Sequence, residues 1–136
     1  MYLEDEKDYI MRMIKQMVRA LFSVILGKEF QMVELPDENK CEVSGTPLDE
    51  YLEMIDKGQI NEAENRILEN VDYSSKEDIE ALLRFYEYLS RKEDGFLEDH
   101  DYSVEEVLDG LKQIADRTGF GSMVSLFIDE RPKGDQ

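Results

Sequence analysis

The stretch IMRMIKQMVRALFSVIL, residues 10–26, contains no Asp or Glu, although the whole chain carries a formal charge of −17 at pH 7. An α-helix turns by about 100° per residue, so the apolar side chains of this stretch spread over roughly 220° of the helix surface. Its basic residues fall together in the remaining stripe: Arg12, Lys15 and Arg19. Gly27 follows where a left-handed C-cap is favourable. The stretch therefore predicts a long amphipathic helix with an unusually wide apolar face.

Several interpretations can account for so wide a face. A transmembrane helix needs about 20 apolar residues with few charges, and the three basic residues of this shorter stretch argue against it. A membrane-surface helix would place its basic side chains at lipid headgroups. A helix buried on two sides would pack against the rest of its domain and against a second copy. The remaining interpretation is burial within the monomer alone. We expect the second copy, and hence a homodimer, with the membrane surface as the alternative.

Candidate interaction residues follow from that expectation. Methionine side chains adapt to irregular surfaces, and aromatic side chains outside a core stripe can mark a binding groove. We expect the centre of the apolar arc to lie in the monomer's core and its flank to meet the second copy. Burial under a neighbouring helix is the other interpretation of the aromatic pair in LRFYEYL. The candidates are Met11, Met13, Met17, Leu21 and Phe22, with Met17 and Leu21 at the centre and Met11 and Phe22 on the flank, and Phe85 and Tyr88 from LRFYEYL.

Capping signals mark further helices. Thr46 and Pro47 predict the start of a helix that Gly58 ends, and a second helix follows at once to complete a hairpin. Ser74 opens a predicted capping box for a helix that continues to about Asp99, with a stop at Asp94 as the alternative. Ser103 opens a second predicted capping box, and the helix that follows it ends at Gly119. The segment SMVSLFI predicts a short final helix.

These elements predict an all-α fold of five or six helices, because no segment alternates in the manner of a strand. A chain of 136 residues fits a single domain. We expect a long N-terminal amphipathic helix followed by a compact bundle of helical hairpins. The predicted parts are the first helix within 1–28, a linker or loop over 29–45, the bundle over 46–128 and a flexible tail over 129–136.

Two resemblances add to this prediction. DKGQINEAENRIL, Asp56–Leu68, resembles the turn and second helix of a tetratricopeptide-type repeat, with Gly58, Ala63 and Ile67 at the matching positions. More widely, the chain resembles an uncharacterised family of small acidic helical proteins from Gram-positive bacteria. The segments that carry this resemblance are DYIMRMIKQMVRAL, INEAENRILE, LRFYEYL and GFG. It implies an all-helical fold and no catalytic residues.

The search for reactive groups gives no predicted catalytic, cofactor or metal site. His100 is the only histidine, and its acidic neighbours in LEDHDYS do not converge on one point from a helix. Cys41 is the only cysteine, which excludes an intrachain disulfide and favours a reducing compartment. GFG, residues 119–121, is too short for a phosphate loop and follows a helix. We therefore expect a protein that is not an enzyme.

Charge limits the choice of partners. The chain has 33 acidic residues and 16 basic ones, which disfavours contact with nucleic acid. The N-terminal MYLEDEKDY is acidic where a secretory signal would be basic, so a cytoplasmic location is expected. The function that we expect is a cytosolic interaction or scaffold module that self-associates through its first helix. A peripheral membrane adaptor is the alternative, and a small enzyme or metal-binding protein comes third.

Overall fold

A computed structural model describes the backbone of residues 2–27 and 41–129, and the side chains of residues 9–27, 41–93 and 95–126. The protein is mostly helical, at 76%, which confirms the predicted class and the long first helix followed by a bundle. Seven α-helices lie in the described residues, where five or six were predicted. In chain order the elements are α1 Tyr2–Leu21, a π-helical segment Phe22–Leu26, β1 Glu42–Val43, β2 Thr46–Pro47, α2 Leu48–Asp56, α3 Ile60–Asn70, α4 Lys76–Ser90, α5 Asp94–Asp99, α6 Val104–Thr118 and α7 Gly121–Asp129.

The wide apolar face of α1 is covered by other helices of the same chain. α1 packs against both α6 and α4. The π-helical segment continues this contact, and its Phe22 and Ile25 are buried. As predicted, Gly27 ends the helix in the left-handed region, with a φ of 71°, and its N–H donates to the carbonyl of Ser23. Two helices packed on one face account for its width.

A small β-hairpin replaces the predicted start of the next helix. Val43 pairs with Thr46, and the turn between them has positive φ at Ser44 and Gly45, as a two-residue hairpin turn requires. Thr46 is therefore a strand residue and not an N-cap, and the prediction that the chain has no sheet was wrong. α2 begins after Pro47 instead. Cross-strand pairing between short segments leaves no alternating pattern for sequence reasoning to detect.

Buried Asp78 fixes this hairpin to the helical bundle. Its carboxylate accepts hydrogen bonds from the N–H and the hydroxyl of Ser44, at 3.2 and 3.1 Å, and from the N–H of Asp72 at 2.9 Å. Val43, beside Ser44, is fully buried. One carboxylate therefore joins the hairpin turn, the α3–α4 loop and the first turn of α4.

The predicted α2–α3 hairpin is present, and Gly58 has the positive φ of 86° that its turn requires. The imidazole of His100 occupies the space where a side chain at residue 58 would lie. Nδ1 of His100 donates to the carbonyl of Phe96 at 2.7 Å, and the two rings are 4.6 Å apart. The histidine therefore packs the end of α5 against the α2–α3 turn.

Two boundaries of the following helix differ from the prediction. Its N-cap is Ser75 and not Ser74, because the Ser75 hydroxyl accepts from the N–H of Asp78, whose side chain is held by the β-hairpin. The helix also ends at Ser90 and does not continue to Asp99. The chain turns there, so that Leu97 is buried from a separate helix, α5.

The C-terminal half follows the prediction closely. Ser103 caps α6 by accepting from the N–H of Glu106, and Gly119 ends it with a φ of 90°. The short final helix is α7. Two predicted segments lie largely outside the described residues. The structure describes the predicted loop over 29–45 only from residue 41, and it describes the predicted tail over 129–136 only at Asp129, the last residue of α7.

Candidate interaction surface on the first helix

Most predicted interaction residues lie inside the protein's own core. Met17 and Leu21 are fully buried, as expected for the centre of the apolar arc. Phe22 is also fully buried, so its predicted position on an exposed flank was wrong. The guanidinium of Arg84 covers the Phe22 ring at 5.0 Å. The other members of this buried group are Met13 and Phe85.

Met11 and Tyr88 are the two candidates that remain half-buried. Tyr88 is engaged within the chain, since its hydroxyl donates to Asp56 Oδ1 at 2.7 Å. The cationic groups of Arg91 and Lys92 lie over its ring at 5.3 and 4.9 Å. Burial, together with the hydrogen bond to Asp56, raises the pKa of the Tyr88 phenol. This tyrosine therefore joins the end of α4 to the end of α2 and does not line an open groove.

The exposed face of α1 is basic. Arg12, Lys15 and Arg19 all point away from the core and are exposed. The helical phase that buries the apolar arc forces these three side chains outward together, because they share the opposite stripe. No acidic residue lies between Tyr9 and Gly27 to neutralise them.

α4 extends this surface across a buried carboxylate. Glu87 is 5% exposed, and Arg91 Nε donates to its Oε1 at 3.2 Å. Burial raises the pKa of the Glu87 carboxyl, while the nearby charges of Arg91, Lys15 and Arg84 oppose that rise. Lys15 and Arg91 are therefore both close to Glu87. We call the surface formed by Arg12, Lys15, Arg19 and Arg91 the basic strip.

The direction of the two helices determines how the basic strip runs. Lys15 lies near Glu87, and Phe22, farther along α1, lies under Arg84, which comes earlier in α4. α1 and α4 are therefore antiparallel in this region. Arg12 and Arg91 consequently lie toward the same end of the bundle, and Arg19 lies toward the other.

A second polar site, which sequence reasoning missed, lies between α3, α4 and the start of α6. Oε2 of Glu64 accepts hydrogen bonds from the hydroxyls of Tyr86 and Tyr102, at 2.7 and 3.1 Å. Burial raises the pKa of the Glu64 carboxyl, the two phenols lower it, and Glu106 raises it. Burial and the Glu64 carboxylate also raise the pKa of both phenols. A detectable signal existed, because Glu64 interrupts the apolar stripe that includes Ile60 and Ile67.

Few other groups are arranged for chemistry. Cys41 is half-buried beside the hairpin. Within the described residues, no group of three or more His, Cys, Asp or Glu side chains is placed to hold a metal ion. None of the described helices combines the length and apolar character needed to cross a bilayer.

Comparison with known proteins gives one match. The model of a family of unknown function (DUF6483) matches residues 4–119, which is most of the chain. The predicted resemblance to an uncharacterised family is confirmed at that level. No curated protein and no solved structure matches the chain.

Proposed function

This chain belongs to the family of unknown function DUF6483, and on that premise we propose that it is a non-enzymatic cytosolic interaction module that self-associates through α1. The observation that carries this proposal is the basic strip. It gathers four exposed basic side chains on α1 and α4, two helices that pack together, in a chain whose formal charge is −17. An exposed charge pattern of opposite sign to the rest of a protein favours a specific encounter with a negatively charged partner.

The proposed contact between two copies uses the polar stripe of α1, whereas the sequence predicted a contact through its apolar face. The apolar arc of α1 is covered by α4 and α6, so its polar stripe is left to meet a partner. A second copy of this chain has the required negative charge, since acids outnumber bases by 33 to 16. Half-buried Met11 borders the stripe and can add apolar area to the contact.

Two buried carboxylates and a half-buried one support a structural and not a catalytic role for the core. Asp78 joins the β-hairpin to α4, and Glu87 is paired with Arg91 beside α1. Glu64 holds two tyrosines from different elements. Each carboxylate stabilises a contact between elements. We also propose that the chain comes from a Gram-positive bacterium and that its α2–α3 hairpin is tetratricopeptide-like.

A membrane role would use the same basic strip in another way. Anionic headgroups attract clustered Lys and Arg side chains, each by about 1 kcal/mol near the surface. Insertion of an amphipathic helix also needs its apolar face, and here that face forms the core. Membrane binding would therefore require α1 to leave the bundle or would depend on charge alone, and we favour self-association.

Sedimentation velocity over a range of protein concentrations tests the proposal. We expect the mass of the parent protein to rise from one chain to two at about 0.15 M salt. A matched pair of variants locates the contact: Arg12→Glu with Arg19→Glu on the basic strip, and Arg66→Glu with Lys112→Glu elsewhere. The first pair should remain monomeric and the second should associate like the parent. A parent that remains a single chain at every concentration, and instead sediments with anionic liposomes, would replace self-association with membrane binding.

A further inference from the structure

The basic strip has a counterpart on the same molecule. Residues 93–106 contain no Lys or Arg, and they include α5 and the turn that leads into α6. We call them the acidic segment. Its exposed acids are Glu93, Glu98, Asp99, Asp101 and Glu105. This is a dense anionic surface of defined position in the fold.

The two surfaces meet at the turn between α4 and α5. Arg91 belongs to the basic strip, and Glu93, two residues later, begins the acidic segment. Arg12 lies toward the same end of the bundle as Arg91, because α1 and α4 run in opposite directions. Arg12 and Arg91 therefore mark the end of the basic strip that lies toward the start of the acidic segment.

The α1 part of the basic strip and the α5 part of the acidic segment are similar in length. At 1.5 Å per residue, α1 rises about 10 Å from Arg12 to Arg19, and the six residues of α5 span about 9 Å. Opposite charges that adjoin on one molecule become self-complementary across a two-fold axis at their boundary. Each positive surface then faces the negative surface of the other copy, which is the isologous arrangement of most homodimers.

Resting on the self-association proposed above, we propose that two copies pair about a two-fold axis near residues 91–93, with the basic strip of each on the acidic segment of the other. The partner is thus a second copy of this chain, bound through two equivalent ionic contacts. Such contacts give orientation and specificity to an interface.

The acidic segment is held in place before a partner arrives. Nδ2 of Asn61 donates to the carbonyl of Asp101 at 3.1 Å, and His100 packs on Gly58. The N–H of Tyr102 donates to the carbonyl of Leu97 at 2.9 Å, which fixes the turn after α5. A surface ordered in advance loses little conformational freedom on binding, so its contacts contribute more fully to affinity.

Overall charge gives the pairing a distinctive salt dependence. Two chains of −17 repel each other at long range, and this repulsion is screened beyond roughly 8 Å at 0.15 M salt. Contacts between paired surfaces are shorter than that and persist. Association should therefore be stronger at about 0.15 M than at about 0.01 M salt, and weak at about 1 M, where the screening length falls to roughly 3 Å.

Complementary charge reversal tests the pairing. The strip variant carries Arg12→Glu and Arg19→Glu, and the segment variant carries Glu98→Lys and Asp99→Lys at the C-terminal end of α5, where Lys favours the helix dipole. Each variant alone loses the opposition of charge at both contacts, because the strip variant keeps only two of its four cations and the segment variant places two lysines among its three remaining exposed acids. We therefore expect each homodimer to weaken by roughly a hundredfold or more. In an equimolar mixture one contact joins two unchanged surfaces and the other brings opposite charges together at the reversed positions, so a heterodimer of two chains should form.

Charge-matched controls keep the interpretation specific. Arg66→Glu with Lys112→Glu changes the net charge as the strip variant does, and Glu53→Lys with Glu69→Lys changes it as the segment variant does. Both controls should dimerise alone. If circular dichroism shows that a charge-reversed variant has lost its helices, Gln at the same positions replaces it, with an expected weakening of roughly tenfold.

The outcomes separate this inference from the proposal on which it rests. A monomeric parent at all salt concentrations contradicts both. A dimeric parent whose strip variant is monomeric but whose segment variant dimerises alone contradicts only the pairing of strip and segment. A strip variant that dimerises alone contradicts self-association through α1 as well. If both variants are monomeric alone and their mixture is also monomeric, the pairing of strip and segment is contradicted, because the two surfaces would then not be each other's partners. Recovery of the dimer only in the mixture supports it.

Discussion

The hydroxyl of Tyr86, on α4, donates a 2.7 Å hydrogen bond to Oε2 of Glu64, on α3. Tyr102 donates to the same oxygen from the turn before α6. A single carboxylate thus joins three parts of the bundle. Because burial raises the pKa of Glu64, ionising this carboxyl costs more in the folded chain than in the unfolded one.

Glu64→Gln should change how stability depends on pH. A raised folded-state pKa makes a contribution to the free energy of unfolding that is present below the unfolded pKa and is lost as pH rises through the folded one. Gln cannot ionise and lacks this contribution. The stability of the parent relative to the variant should therefore fall as pH rises from about 4 to about 7. Urea unfolding at several pH values measures this difference, and a constant difference would refute the role assigned to Glu64.

Gly110→Ala should destabilise the contact between α4 and α6. A Cβ atom at residue 110 would overlap the ring of Tyr86, so the buried ring or the packing of the two helices would have to shift. Overpacking of this kind costs about 1–3 kcal/mol, against up to about 1 kcal/mol gained from the better helix propensity of Ala. Gly95→Ala is the matched control, because its Cβ meets open space, and it should be neutral or stabilising. Thermal unfolding of the two variants measures the difference. Equal melting temperatures would show that the close approach of Gly110 to Tyr86 does not contribute to stability.

Asp78→Ala should loosen the β-hairpin. The substitution removes the charged acceptor of three hydrogen bonds, from the N–H and hydroxyl of Ser44 and from the N–H of Asp72. A hydrogen bond to a charged group contributes about 1.5–3 kcal/mol, and water replaces part of this here because Ser44 and Asp72 are exposed. We expect a loss of about 2–4 kcal/mol in the free energy of unfolding. Faster hydrogen exchange at both amides would locate the effect. Glu77→Ala, at an exposed neighbour, is the control, and a loss of equal size there would contradict a specific role for Asp78.

Leu21→Glu and Arg19→Glu should have opposite consequences on the same helix. Leu21 is fully buried, and a charge there without a partner costs several kcal/mol, enough to unfold a small domain. Arg19 is exposed, so its reversal should leave the melting temperature nearly unchanged while weakening self-association. Circular dichroism together with sedimentation separates the two effects. A folded Leu21→Glu protein would mean that this face of α1 is not core.

The features predicted correctly from sequence are mostly local. Gly27, Ser103 and Gly119 act within one turn of a helix, and the apolar periodicity of α1 is a property of that helix alone. The N-cap of α4, by contrast, could not be assigned to Ser74 or Ser75 from local sequence alone. Each precedes an acidic residue three positions later, and the contact of Asp78 with the distant Ser44 decides between them.

The remaining errors have the same origin. Thr46 and Pro47 look like a helix start, but pairing with β1 takes them into a strand. The width of the apolar arc on α1 indicates how much surface must be covered, and it does not indicate which elements cover it. Phe22 was therefore placed at a subunit contact, although α4 of the same chain covers it. Contacts between distant segments leave no trace in a local pattern.

Cross-linking of isotopically mixed protein tests whether the basic strip of one copy meets the acidic segment of another. Equal amounts of ordinary and ¹⁵N-labelled chains are combined at about 0.15 M salt and treated with a carbodiimide, which joins an amine directly to a carboxylate. We expect linked peptides of mixed isotopic origin that join Lys15 to a carboxylate within residues 93–106. Links from Lys15 that occur only within chains of one isotope, or mixed links that never include the acidic segment, would contradict it.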